Sequence, residues 1–213
     1  MNPTTTHNYG LYQPSLEHDA CGVGLLCNLK GEKSHYIVKK GLEILVNLTH
    51  RGAASSDAKT GDGAGILLQI PHEFFLEKAS LNHIKLPDIK EYGVGMVFMP
   101  PDAQERAQCI ETTEQTVREE GYEFIGWRDV PVQENVIGEI ARQSQPFMMQ
   151  FFVGRGSTVT DDAQFERKLY VIRKIIENRI AQSHLQQKKY FYITSLSSNT
   201  IVYKGMFLAE QVS

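Results

Sequence analysis

The period of apolar and polar residues changes along the chain, and each change marks an element. After an irregular polar stretch over residues 1–20, the apolar run Val23-Gly24-Leu25-Leu26 and the turn Lys30-Gly31-Glu32 predict a first strand over 21–30, beginning at Cys21. From Ser34 the period lengthens. Val38, Leu42, Leu45 and Leu48, with Ile37 and Ile44 alongside, share one face of an amphipathic helix whose N-cap is Ser34. That helix ends in His50-Arg51-Gly52, glycine being a usual residue just past a helix end. Residues 53–65 are small and polar, and the strand Ile66-Leu67-Leu68-Gln69-Ile70 that follows is stopped by Pro71.

The second half alternates strands and helices. A short helix is predicted over 72–80, a polar connection around Pro87, and a strand over 92–99 closed by Pro100-Pro101. Asp102 and Glu105 form a D-x-x-E capping box for a helix ending at Gly121, and 122–130 is a strand. A short helix at 138–145 leads into a strand at 146–153, whose methionines read as core filler. Asp161 and Gln164 form a second box, and Phe165, Leu169, Ile172, Ile176 and Ile180 line one face of the longest helix. Strands at 190–196 and 200–206, joined by Ser197-Ser198-Asn199, read as a hairpin, and 208–213 as the start of a helix.

Composition narrows the function classes. The 213 residues are 41% hydrophobic and 22% charged, as in globular proteins, and carry a net charge of −3, so no electrostatic reason points to nucleic acid or an anionic membrane surface. No apolar run approaches the ~20 residues that span a bilayer. Residues 1–20 lack the basic start and apolar core of a secretory signal. Three cysteines cannot form a disulfide framework and suit a reducing compartment. Within one extended strand Cys21 and Cys27 would stand ~20 Å apart, beyond bridging. Seven histidines lie scattered without paired metal spacing, so no metal site is expected.

Three stretches hold candidate chemistry. Cys21 reads either as a small core residue or as a nucleophile, and Gly22 and Gly24 strip side chains from the chain beside its sulfur. Arg51, at a helix-to-loop junction, is either a surface arginine favoured by the helix dipole or a fork for a carboxylate or for a thiolate. The run Gly61-Asp62-Gly63-Ala64-Gly65 is a poor phosphate loop, because it enters a strand rather than a helix and carries an acid. It reads better as a place where the backbone approaches a small ligand or turns tightly between elements. Cys109, inside a helix, reads as a packing residue.

These stretches resemble a known family. Gly10-Leu11-Tyr12-x-Pro14-Ser15-x-Glu17-His18-Asp19-Ala20-Cys21-Gly22-Val23-Gly24, then Leu48-x-His50-Arg51-Gly52-Ala53, then Lys59-Thr60-Gly61-Asp62-Gly63-Ala64-Gly65-Ile66, are similar to the start of glutamate synthase large subunits. The amino-terminal domain of that family is a class II glutamine amidotransferase. The resemblance implies an α+β fold of the N-terminal-nucleophile hydrolase type, a four-layer α/β/β/α sandwich, here incomplete. It implies a leader over 1–20, removed to free Cys21 as catalytic nucleophile, and the first portion of the amidotransferase domain over 21–213. His18 and Asp19 would act, if at all, in maturation.

It further implies L-glutamine as substrate, Arg51 as substrate-binding or electrostatic partner, and Gly61, Asp62 and Gly63 as an active-site loop. Ammonia would pass to the remaining synthase domains of the polypeptide, which use FMN and an iron–sulfur cluster and pair in some forms with a small reductase subunit. Neither group is expected on this segment. The location implied is the cytoplasm, or the plastid stroma. The family's oxyanion-hole Asn-Gly pair is absent, because Asn135, Asn178 and Asn199 are not followed by glycine, so the chain is expected to be a weak catalyst alone. Two alternatives stay open: a catalytically incomplete domain with a structural or regulatory role, and another amide hydrolase of the same fold.

Overall fold

The structure is a computed structural model, and it describes residues 21–156, 159 and 161–212. In chain order its elements are α1 (His35–Asn47), β1 (Ala64–Gln69), α2 (His72–Ser80), β2 (Tyr92–Met99), α3 (Ala103–Glu119), β3 (Glu123–Asp129), α4 (Glu139–Gln143), β4 (Phe147–Gly154), α5 (Asp162–Gln182), β5 (Tyr192–Ser197) and β6 (Thr200–Gly205). Short 3-10 turns lie at Thr49–Arg51, Lys188–Tyr190 and Ala209–Gln211.

Caps set the helix starts. The Ser34 hydroxyl accepts from the Tyr36 amide at 3.1 Å, and Asp102 and Asp161 each accept two amides in the first turns of α3 and α5. Glu105 does not close its box. Its carboxylate accepts instead from the Gln186 and Gln187 amides, at 3.1 and 2.7 Å, and ties the start of α3 to the chain beyond α5.

Two antiparallel sheets follow, one of four strands in the order β3-β4-β2-β5 and one of two, β1-β6. Alternation on β2 and β4 divides the core. Val97, Met99, Phe151 and Val153 pack with Phe165, Leu169, Ile172 and Ile176 under α3 and α5. Val94, Met96 and Phe152, on the other face, meet Phe75 of α2 and Ile201 of β6. All five residues expected on the inner face of α5 are buried. The expected α+β layering is present: helices, a large sheet, a small sheet. Val38 and Leu42 of α1 line a cavity of about 770 Å³ between the sheets, with Ile66, Met96, Phe98 and Tyr203. The outer face of β1-β6 is open, with Leu67 63% exposed. Among the described residues no helix is long and apolar enough to cross a membrane.

Two expectations fail. The segment 21–29 is not a strand: it is exposed, Val23 by 88% and Leu25 by 89%, and no described strand pairs with it. A strand persists only with a partner for its backbone groups. Here the two glycines instead lay the segment on α1. A Cβ at Gly24 would fall 2.3 Å from Ile44 Cγ2.

The 190–206 hairpin is also corrected. β5 pairs with β2 and β6 with β1, so the chain crosses between sheets at Ser197-Ser198-Asn199. A turn sequence reverses the chain without choosing its partner. Glu166 of α5 holds the crossing, accepting from the Ser198 amide at 2.6 Å and from the Ser197 and Ser198 hydroxyls. Side chains stitch what the backbone does not, with the Val202 amide donating to Ser195 Oγ at 3.1 Å.

Candidate active site

The site assembles where α1 ends. The Leu48 amide closes the helix on Ile44 and Leu45, and one 3-10 turn follows, with the Arg51 amide donating to Leu48 at 2.8 Å. Gly52 then leaves in extended geometry, φ −98°, so its place past the helix needs no left-handed conformation. Arg51 is thus held at the backbone while its guanidinium stays exposed.

Cys21 is next to this turn. A Cβ at Gly22 would lie 3.4 Å from both Cβ and Cγ of Arg51 and 3.3 Å from Leu48 Cδ2. The residue after the cysteine therefore rests on the stem of Arg51. The glycines beside Cys21 mark a close approach, as expected, but the approaching group is α1. Cys21 and Cys27 are both exposed free thiols.

The 53–62 loop doubles back on itself as a small hairpin. Ala54 bridges Gly61, the Asp62 amide donates to Ala53 at 3.1 Å, and a Cβ at Gly52 would meet Asp62 Oδ1 at 3.4 Å. Arg51, Gly52 and Asp62 consequently share the base of one loop. Gly61 and Gly65 are closely approached, but by the protein's own backbone rather than by a ligand. A Cβ at Gly61 would be 2.1 Å from the Phe207 carbonyl oxygen, and one at Gly65 2.6 Å from that of Tyr203.

Sequence reasoning passed over the tip of this loop. Asp57 accepts from the amides of Lys59 and Thr60 on one oxygen and from the Thr60 hydroxyl and the Ile140 amide on the other. The spacing D-x-x-T was the available signal, since Asp favours such local turns. The Thr60 hydroxyl and the backbone amides hold the Asp57 carboxyl well below the usual carboxylate range. A depressed folded-state pKa means that the interaction is fully present above the unfolded value of about 3.9 and is lost only as pH falls through the lower folded value. Protection of the Ile140 amide from hydrogen exchange is therefore expected to persist from neutral pH down to about pH 4. Loss of that protection near pH 6 would contradict it.

Cys109 is fully buried on the inner face of α3, and burial, with Glu105 nearby, pushes its thiol up to about 12. It is a packing residue and a poor ligand. Among the described residues no group of three or more His, Cys, Asp or Glu is placed to hold a metal ion. An iron–sulfur cluster does not fit these cysteines either, Cys21 and Cys27 being exposed and Cys109 enclosed in the core on the inner face of α3.

The sequence model of the class-II glutamine amidotransferases matches residues 21–213. The chain belongs to that family. Its match begins at Cys21, and the amidotransferase domain covers every element described above. The chain is 49% identical over 203 residues to the large chain of the NADPH glutamate synthase of Bacillus subtilis and 44% identical over 205 residues to that of Azospirillum brasilense. It is 38% identical over 212 residues to the NADH glutamate synthase of Saccharomyces cerevisiae. Each alignment takes in 95% of this chain, but only 13%, 13% and 10% of the respective relative. This chain thus spans only about a tenth of the length of those relatives. Residues 1–20, expected as a leader, lie outside the described residues.

Proposed function

We propose that this amidotransferase domain releases ammonia from L-glutamine for a glutamate synthase, with Cys21 as the nucleophile after cleavage between Ala20 and Cys21. The observation that carries the reading is the seating of Gly22, the residue after the cysteine, on the Arg51 stem. The freed α-amino group, with a reference pKa near ~8, accepts the thiol proton. The thiolate attacks the side-chain amide carbon of glutamine. As the tetrahedral intermediate collapses, the ammonium of Cys21 returns its proton to the departing nitrogen. Ammonia leaves and a glutamyl thioester remains, which water hydrolyses to glutamate. Arg51 binds the substrate carboxylate as a bidentate fork or stabilises the thiolate.

The ammonia would meet 2-oxoglutarate on further domains of the polypeptide, where FMN and an iron–sulfur cluster supply the reducing chemistry, in some forms through a small reductase subunit. The proposal places the domain in the cytoplasm or the plastid stroma. It is tested at the N terminus. Mass of the mature protein should begin at Cys21, and a form that retains residues 1–20 should not hydrolyse glutamine, because an acylated nitrogen cannot accept the thiol proton. Turnover by a protein shown by mass to keep residues 1–20 would overturn the reading.

A further inference from the structure

We infer that Asp57 and Thr60 are positioning residues of the amidotransferase site: they clamp the tip of the 53–62 loop to α4 and so hold Asp62 against the Arg51–Gly52 turn. The inference rests on the assignment of Arg51 and its neighbours to that site. From Ala53 to Gly63 the loop has no large apolar side chain, so no hydrophobic anchor fixes it. Yet Thr60 is 0% exposed.

Polar bonds account for that. Asp57 accepts the Ile140 amide at 3.2 Å, Thr60 Oγ1 accepts the Ala141 amide at 3.1 Å, and the Gly138 amide donates to the Lys59 carbonyl at 3.2 Å. These are the unpaired donors of a helix start, and α4 has no side-chain cap of its own at Gly138. The fit allows no substitution at Gly138. A Cβ there would stand 2.3 Å from both Asp57 Oδ2 and Thr60 Oγ1. From the far side Gln211 donates to the carbonyls of Lys59 and Val136, at 2.9 and 2.7 Å, joining the same two segments. The tip is pinned at 57–60, and the Ala54–Gly61 bridge passes that constraint to the base at 52 and 62.

The test compares Thr60→Val, which removes the hydroxyl at constant shape, with Thr60→Ser, which keeps it. In the full chain, hydrogen exchange should accelerate about tenfold or more for Thr60→Val, not only at Ile140 and Ala141 but also at Asp62. In the mature full-length protein the KM for glutamine should rise about tenfold with kcat changed less than twofold, and Thr60→Ser should restore both. Faster exchange at Ile140 and Ala141 with Asp62 unchanged would overturn the inference, as would a Thr60→Val KM equal to wild type. If Thr60→Val fails to fold, Asp57→Ala is read in the same way, since it removes the acceptor of the Ile140 amide and the partner of the Thr60 hydroxyl. The exchange measurement needs no turnover. Failure of the amidotransferase reading would leave the response at Asp62 intact, whereas failure of the clamp would remove it.

Discussion

Replacing Cys21 with serine is expected to abolish glutamine hydrolysis, by on the order of 10⁴-fold or more, while synthesis from free ammonia by the full-length protein continues. The serine hydroxyl gives up its proton far less readily than a thiol, and the α-amino group is too weak a base to make up the difference. The substitution should leave the fold alone, because Cys21 is exposed and packs nothing into the core. The other cysteines are the controls. Cys27→Ser, also at an exposed site, should keep both activity and stability. Cys109→Ser should keep activity, but a hydroxyl placed at that fully buried position should lower stability by about 1–3 kcal/mol. Ammonia release from glutamine and thermal unfolding separate these outcomes. A Cys21→Ser protein that still hydrolyses glutamine would remove the nucleophile assignment.

Gly61→Ala is expected to cost both stability and substrate affinity. The added methyl would meet backbone: Phe207 O at 2.1 Å, Phe207 C at 2.3 Å and the Leu208 amide nitrogen at 2.6 Å. No rotamer relieves a clash with main chain, so either the 207–208 segment or the loop must move. Overpacking of this kind costs roughly 1–3 kcal/mol, and the displaced element includes Asp62. Gly31→Ala is the comparison. Gly31 has φ +71° and nothing within 4 Å, so that change should bring only the left-handed backbone penalty of about 1–2 kcal/mol, with KM untouched. Melting temperature and the KM for glutamine, measured on both variants, decide the matter. An unshifted KM for Gly61→Ala would mean that the loop does not serve the site.

What could be read from the sequence was what depends on neighbours along the chain. The Ser34, Asp102 and Asp161 caps, and the stripe from Phe165 to Ile180, follow from spacing alone and are all present. So is the burial of Cys109. What failed depended on distant partners. Residues 21–29 have strand composition, but composition does not supply a neighbouring strand. The Ser197-Ser198-Asn199 turn was found correctly, but the choice of β2 for β5 and of β1 for β6 is made by the stacking of two sheets. The site divides similarly. Cys21, Arg51 and the Gly61–Gly63 stretch were proposed from the family pattern, and the structure puts Gly22 against Arg51 and Gly52 against Asp62. The Asp57 clamp joins residues more than eighty positions apart to a five-residue helix, and no local period announces such a contact.

The pairing of β1 with β6 also has a kinetic consequence. Residues 64–69 must find residues 200–205, so their ladder closes a loop that contains most of the chain, residues 70–199. The entropy of that closure rises only slowly with length, but contacts so far apart in sequence form slowly. Meanwhile, among the described residues, β6 pairs with β1 alone, and it follows the Glu166-held crossing from β5. The small sheet therefore waits on the large one. Its amides are expected to gain protection after those of the large sheet in pulsed hydrogen exchange during refolding, and Asp62, two residues before β1, should follow them.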